Sequence, residues 1–469
     1  MSKFFITTPI YYINDVPHIG HTCSTVGADI VARMHRQIGD EVFFLTGTDE
    51  HGQKVAETAE KEGLGVKEYC DKIAPHFDKA WKNLNISHDF FIRTTDPRHE
   101  KIVEELLTKI YKKGDIYKAK YEGKYCVGCE KFLTESDMKD GVCPLHPPEK
   151  TIEKSEENWF FKLSSYAPKL IELIENKKTN YIFPEGKRRE VLAKLKAGVN
   201  DISVTRENVE WGIPAPWDKS QTIYVWVDAL INYYSATGFL KNKKDFWPAN
   251  VHLLGKEILW FHAVIWQAML MSAGIALPKK IFVHSFYMID GQKMSKSKGN
   301  VISPGQLLEK FGVDGARFLI AGSFPRDNDA DVGMSRFVKK YNADLANNLG
   351  NLVSRISKMG EGIKLAKMEL KLEDEFVKAI DNFSFEKAIS FVFDSWIKPA
   401  NLKLNEKEPW KMKKKDPKRE NLLREIGMDL KKVAYHLSAI MPQTAKKIEI
   451  VFGEKIGVLE KPLFPRIND

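Results

Sequence analysis

The chain has 469 residues, 43% hydrophobic and 29% charged, with a formal net charge of +9. These proportions describe an ordinary globular protein too long for one simple core, so roughly two to four domains are expected. Five cysteines without a signal-peptide pattern exclude a secreted disulfide framework, and the positive balance suits either a polyanionic partner or a lysine-rich solvated surface.

From the amino terminus, "KFFITT" reads as an apolar strand leading towards "VPHIGHTCS". After His21 the apolar residues Val26, Ile30, Met34 and Ile38 recur every four positions, with Gly39 as a C-cap, which predicts a helix. "EVFFLTG" is a second buried strand and "TDEHGQKV" opens another helix. Such alternation predicts a parallel sheet covered by helices. His18 and His21 sit where the first strand hands over to the first helix. Two close histidines fit a metal site, a catalytic base or a phosphate cradle, and equally a pair of helix caps. Free backbone N–H groups at a helix start favour an anion. Gly20 lets a ligand approach the backbone, and open α/β sheets gather ligands at strand carboxyl ends, where Asp49 also falls.

Across 114–222 the pattern breaks into short strands, Gly/Pro turns and a cysteine cluster, which reads as an inserted domain. Its string "CVGCEKFLTESDMKDGVCPLH" spaces Cys126, Cys129, Cys143 and His146 as C-x2-C-x13-C-x2-H, fitting one tetrahedral zinc. Four protein ligands close the coordination sphere, so this zinc is expected to be structural. It lies in an insertion away from the His18 strand, and the histidine pair thereby loses its metal reading. Cys23 and Cys70 are expected to be small core residues. Strand–helix–strand is expected to return at "TIYVWVDA", the helix 257–276 and "KIFVHSFYM". That helix holds Glu257 and His262 near one end and reads as buried rather than membrane-spanning. "DGQKMSKSKGN" then alternates Lys293, Lys296 and Lys298 with small hydroxyl residues such as Ser295. A mobile lysine loop at a strand end can clamp a polyphosphate; a solvated basic turn is the plainer alternative.

From 338 onward amphipathic helices predict a bundle. In "NADLANNLGNLVSRISKM" the residues Leu345, Leu349, Leu352, Val353 and Ile356 form an apolar stripe. Asn351 and Arg355 share the neighbouring polar face and are suited to reading exposed base edges. In "EKEPWKMKKKDPKR" Trp410 follows Pro409 among Lys407, Lys411, Lys413, Lys414 and Lys415. This tryptophan is either exposed, stacking a base while the lysines meet phosphates, or buried behind its turn.

"HIGH" followed by "KMSKS" resembles the signature pair of class I aminoacyl-tRNA synthetases. "PIYYINDVPHIGH", "FLTGTDEHG", the single zinc knuckle, "VWVDALINYY", "GKEILWFHAVIW" and "KEPW", in order over essentially the whole chain, resemble the methionyl-tRNA synthetase family. The resemblance implies an α/β fold: a Rossmann-like parallel-sheet catalytic domain split by a zinc-knuckle connective insertion and followed by an α-helical bundle. Its parts would be 1–113 and 223–290 for the two catalytic halves and 114–222 for the insertion. A KMSKS-loop linker domain at 291–337 and an anticodon-binding domain at 338–469 would complete it. The implied reaction activates L-methionine with ATP and Mg²⁺ to methionyl-adenylate, then charges the 3′ end of tRNA(Met). A cytoplasmic enzyme without membrane contact is expected. The chain stops soon after its bundle, without the appended domain that dimerises some relatives, so a monomer is expected.

Carried onto matching positions, the family's pattern implies that His18, Gly20 and His21 hold ATP and stabilise the transition state. Lys293, Ser295 and Lys296 would grip the departing pyrophosphate. Ile10, Tyr12, Trp226, Ala229, Leu230, Tyr233, Phe261, His262 and Trp266 would line the methionine pocket, with Tyr12 and His262 reading the sulfur. Asp49 would hold the α-ammonium, and Arg206 and Glu257 would belong to a charge network. Glu257 stands where the family often has Asp, and Leu230 where some members have proline. Asn351, Arg355, Pro409 and Trp410 match anticodon-recognition positions. An aromatic-lined pocket suits a soft, unbranched thioether, although Trp226, Phe261 and Trp266 at helical spacing also fit an ordinary core. A cysteinyl-tRNA synthetase would disperse its zinc ligands, a branched-chain synthetase would need a longer editing insertion, and a silent RNA-binding paralogue would be expected to lose the histidines or lysines.

Overall fold

The first strand, β1 (Lys3–Tyr12), is central in a six-stranded parallel sheet of the computed structural model, which describes residues 2–128, 131–133, 135, 138–176, 181–239, 244–294 and 299–468. The sheet order is Phe90–Arg93, Glu41–Asp49, Lys3–Tyr12, Val251–Gly255, Ile281–His284 and Ile182–Phe183. Period-2 alternation sends Phe4 and Ile6 to one core and Phe5 to the other. Within β1 the register to Glu41–Asp49 shifts between Thr7 and Ile10. Pro9 has no N–H for the ladder, and a bulge is where a central strand tolerates it.

Helix α1 (Ile19–Gln37) follows β1 as its periodicity predicts, with Val26, Ile30 and Met34 buried. Ile38 is the exception: it lies past the last turn as the C-cap and is 47% exposed. "VWVDA" also departs from expectation. Asp218–Ile223 is a strand of a small antiparallel sheet, and the helix Val225–Phe239 begins at "VWVDA". This helix is buried on nearly every side, so its sequence carries no amphipathic signal. The strand that rejoins the main sheet is instead Val251–Gly255, and the inserted region itself contributes the edge strand Ile182–Phe183. "KIFVHSFYM" divides into Ile281–His284 of the main sheet and Tyr287–Ile289 of a separate three-stranded one.

In the inserted region Ile116–Cys126 pairs with Thr151–Phe161 along its whole length and carries Cys126 at its end. Helices Asn351–Met359, Asp374–Asp381, Phe385–Val392, Lys398–Lys407, Pro417–Leu437 and Pro442–Val451 build the bundle. Its core is continuous with that beneath α1. Among the described residues no helix is long and apolar enough to cross a membrane.

A buried arginine ties these parts together. Arg317, on the helix Pro304–Ala321, pairs with Asp29 of α1 at 2.7 Å. It also donates to the carbonyls of Ile440 (2.8 Å), Ala439 (2.9 Å) and Leu84 (3.2 Å). Burial alone would raise the Asp29 carboxyl, but Arg317, Arg33 and Ser87 together hold it below its ordinary value. Its stabilising contribution is therefore present above about pH 4 and is lost as pH falls further. Arg317→Met removes one partner of a buried pair and is expected to lower the unfolding free energy by about 3–5 kcal/mol in urea titration. A loss below about 1 kcal/mol would show that Arg33 and Ser87 suffice for Asp29.

Candidate active site

His18 is the N-cap of α1, with extended backbone, and its Nδ1 accepts the N–H of Gly20 at 3.1 Å. His21 Nδ1 in turn accepts the N–H of His18 at 3.3 Å, closing a reciprocal capping box made of two imidazoles. The rings stack at 3.9 Å with 22° between their planes. A backbone N–H only donates, so neither Nδ1 carries a proton and each neutral ring keeps its hydrogen on Nε2. Burial pushes both imidazoles below histidine's ordinary value, and for His21 the neighbouring His18 adds to the effect. Capping thus engages only the Nδ1 nitrogen of each ring. Several N–H groups at this helix start are already engaged: His18 and Gly20 donate to imidazoles, and the Ile19 N–H is taken by the Ile302 carbonyl at 2.8 Å. A Cβ at Gly20 would lie 2.9 Å from His18 Cε1, so only glycine leaves the capping ring its place.

Both histidines border a cavity of about 660 Å³ at the carboxyl edge of the sheet. Ile10, Tyr12, Asp49, Trp226, Ala229, Leu230, Tyr233, Glu257, Phe261 and His262 line it together with Gly20. Trp226 and Phe261 stack face to face at 4.1 Å. Trp266 lies outside the wall: fully buried, it packs behind Tyr233 with ring centroids 6.4 Å apart. His262 Nδ1 donates to the Ile258 carbonyl at 2.9 Å, so its Nε2 accepts the Tyr233 hydroxyl at 2.7 Å. Burial pushes this imidazole down to about 4, and it stays neutral. With its one N–H turned to Ile258, His262 is held between that carbonyl and the Tyr233 hydroxyl.

Arg206 and Glu257 meet at a second cavity of about 1120 Å³, with the Arg206 guanidinium 4.0 Å above the Tyr224 ring. Trp226, Glu257 and Phe261 border both cavities, so the stacked pair partitions them. Behind Asp49 lies a network that sequence reasoning missed. Asp228 accepts from His51 Nδ1 and His99 Nε2, both at 2.7 Å, and His99 Nδ1 is 2.7 Å from Ser235 Oγ. Burial opposes its charge, yet His51 and His99 hold the Asp228 carboxyl down at about 2. An acid inside the apolar run "VWVDALI" and a histidine beside Asp49 were the available signals.

Cys126, Cys143 and His146 converge, their donor atoms within 4.8 Å of one another, and His146 Nδ1 lies 3.5 Å and 3.6 Å from the two sulfurs. Two thiols and an imidazole at one point form a donor set that fits zinc. A Cβ at Gly128 would collide with the His146 ring at 2.3 Å, which accounts for glycine there. Cys129 falls outside the described residues, as do Ser295 and Lys296, while Lys293 ends the strand Gln292–Lys293. Although separate in sequence, this lobe folds over the histidine site. Gly128, Leu145 and His146 border the same cavity, and Lys54 Nζ donates to the Gly128 carbonyl. Cys23 and Cys70 are buried, as expected.

In the bundle the stripe Leu345, Leu349, Leu352, Val353 and Ile356 is fully buried, while Asn351 faces outward. Trp410 is 47% exposed, which settles its two readings in favour of a surface ring, and the Arg355 guanidinium lies 4.9 Å above it. Pro409 is buried beneath the turn.

Residues 4–151 and 147–357 match the family described as tRNA synthetases class I (M). The chain belongs to that class. It is similar to the methionine–tRNA ligase of Caldanaerobacter subterraneus subsp. tengcongensis, 41% identical over 97% of this chain and 74% of that protein. The ligase of Streptomyces coelicolor is 40% identical over 95% of this chain and 88% of its own. Among solved structures, Mycobacterium tuberculosis methionyl-tRNA synthetase in complex with methionyl-adenylate superposes with a TM-score of 0.88 at 32% identity, covering 99% of this chain and 100% of that one. Within class I, the chain is a member of the methionyl-tRNA synthetase family.

Because burial disfavours their charged forms, His18 and His21 are expected to titrate below about 6.5, and because each Nδ1 is an acceptor they are expected to carry Nε2–H at neutral pH. Nitrogen-15 NMR of the imidazoles checks this; a midpoint at or above that value for His21 would contradict its burial, and an Nδ1–H tautomer would contradict the capping geometry.

Proposed function

We infer that this chain is a methionine–tRNA ligase that activates L-methionine with ATP and passes the methionyl group to the 3′ end of tRNA(Met). The observation that carries the reading is the one cavity shared by the Nε2–H-bearing histidine pair, Asp49 and the Trp226–Phe261 stack. In the first step a methionine carboxylate oxygen bonds to the ATP α-phosphorus as the bond to pyrophosphate breaks. The carboxylate is already ionised, so no base is needed, and the protein contributes alignment and charge stabilisation. His18 and His21 donate Nε2–H to phosphate oxygens as negative charge develops on them. Lys293 and Lys296 neutralise the leaving pyrophosphate. Mg²⁺ arriving with ATP supplies further charge neutralisation.

Asp49 receives the α-ammonium, while Ile10, Leu230, Trp226 and Phe261 enclose the thioether by dispersion and sulfur–aromatic contact. In the second step a 3′-terminal ribose hydroxyl of the tRNA attacks the carbonyl carbon and AMP leaves. Trp410, Asn351 and Arg355 read the anticodon from the bundle. Cys126, Cys129, Cys143 and His146 hold one structural zinc that fixes the lobe over the cavity. The setting in this reading is cytoplasmic and the enzyme a monomer, which light scattering tests.

ATP–pyrophosphate exchange measured with each of the twenty amino acids is expected to respond to methionine; exchange driven by another amino acid would overturn the reading. His21→Ala and Lys296→Ala are expected to slow exchange about 100-fold while methionine binding, read by calorimetry, persists. Unchanged exchange in both variants would remove these residues from the phosphate site. Elemental analysis is expected to find one zinc per chain, and Cys143→Ser to lower both metal content and melting temperature.

A further inference from the structure

Arg419 lies in the helix Pro417–Leu437, is 8% exposed, and nothing in its sequence surroundings marks it. Its guanidinium reaches three carbonyls on three segments: Nε to Pro409 at 3.1 Å, Nη1 to Lys414 at 3.1 Å and Nη2 to Met359 at 2.8 Å. Pro409 opens the single turn Pro409–Lys411 that displays Trp410. Met359 ends the helix Asn351–Met359, which carries Asn351 and Arg355. Lys414 sits in the lysine run just beyond the turn. Each bond uses one N–H of a rigid planar fork, a geometry that a lysine ammonium does not reproduce.

The turn depends on such a tie. Glu408, immediately before it, has φ 43° and ψ 54°, a left-handed conformation that a non-glycine residue keeps only when its surroundings impose it. On the outside the turn is closed by the solvent-facing Glu408–Lys411 pair at 2.7 Å, a weak constraint. Above it Arg355 covers one side of the Trp410 ring at 4.9 Å and reaches Asn405 Oδ1 at 3.5 Å.

We propose that Arg419 is a positioning residue for RNA recognition, fixing the height and tilt of Trp410 relative to Asn351 and Arg355. An unpaired anticodon base then meets its stacking ring and its hydrogen-bonding partners together. Arg419 itself touches no RNA. The proposal rests on the reading of Trp410, Asn351 and Arg355 as anticodon contacts.

The test compares Arg419→Met, Arg419→Lys and Trp410→Ala in charging tRNA(Met) transcripts with the cognate anticodon and with one changed anticodon base. Rates are divided by the active-enzyme fraction from pyrophosphate exchange, which uses no RNA. Arg419→Met is expected to lower the cognate-to-changed ratio of kcat/KM about 10-fold, chiefly through KM for tRNA, with Trp410→Ala doing the same. Arg419→Lys is expected to recover only part of the ratio. A purely structural arginine would reduce the active fraction and leave the ratio untouched. An unchanged ratio in Arg419→Met beside a lowered one in Trp410→Ala overturns the positioning role alone. An unchanged ratio in Trp410→Ala overturns the anticodon reading beneath it. If Arg419→Met does not fold, Arg419→Lys decides, and a wild-type ratio there overturns the proposal.

Discussion

Lys3–Tyr12 is hydrogen-bonded in parallel to Glu41–Asp49 on one side and to Val251–Gly255 on the other, and the site exists because of these two ladders. Parallel strands end on the same edge, so segments far apart in the chain deliver their following residues to one place. His18 arrives after the first strand, Asp49 at the end of the second, Glu257 and His262 after Val251–Gly255, and His284 at the end of Ile281–His284; all border the same cavity. A one-residue slip of β1 would exchange Phe5 with Phe4 and Ile6 between the two cores.

On that edge the chemistry follows from how each polar group is already committed. The His18 and His21 rings are held by the backbone they cap, which sets their tautomer before any ligand arrives. His262 is likewise fixed between Ile258 and Tyr233, beside the aromatic and aliphatic wall of the cavity. Groups held in this way need no reorganisation before they can act on charge that develops beside them. The Asp228–His51–His99 network holds the segment after Asp49 from behind, and the Cys126–Cys143–His146 lobe closes over the front.

Elements with a clean period were legible. The first helix repeats an apolar residue every four positions, the Leu345–Ile356 stripe marks one buried face, and "KFFITT" and "EVFFLTG" are short apolar runs that suit strands buried on both sides. "VWVDA" was not, because a helix buried on nearly all sides repeats nothing, and five-residue "VHLLG" is too short to separate from its neighbours. At the site, the metal spacing and the histidine pair were visible as chemistry. The position of Trp266 behind Tyr233, the reach of Lys54 to Gly128 and the grip of Arg419 on three carbonyls were not, since each joins segments with no sequence relation.

By itself the sequence determined the residue types and local spacings: H-x-G-H at a strand-to-helix junction, Cys and His at ligand intervals, and an aromatic run that suits a core as well as a pocket. These depend only on near neighbours and on the short-range geometry of turns and helices. Tertiary structure alone decided which nitrogen of each histidine is protonated, which rings face the cavity, and that Trp410 stands exposed under Arg355. Each of those outcomes requires a hydrogen-bond or packing partner brought from a distant part of the chain, and only the folded sheet and bundle supply it.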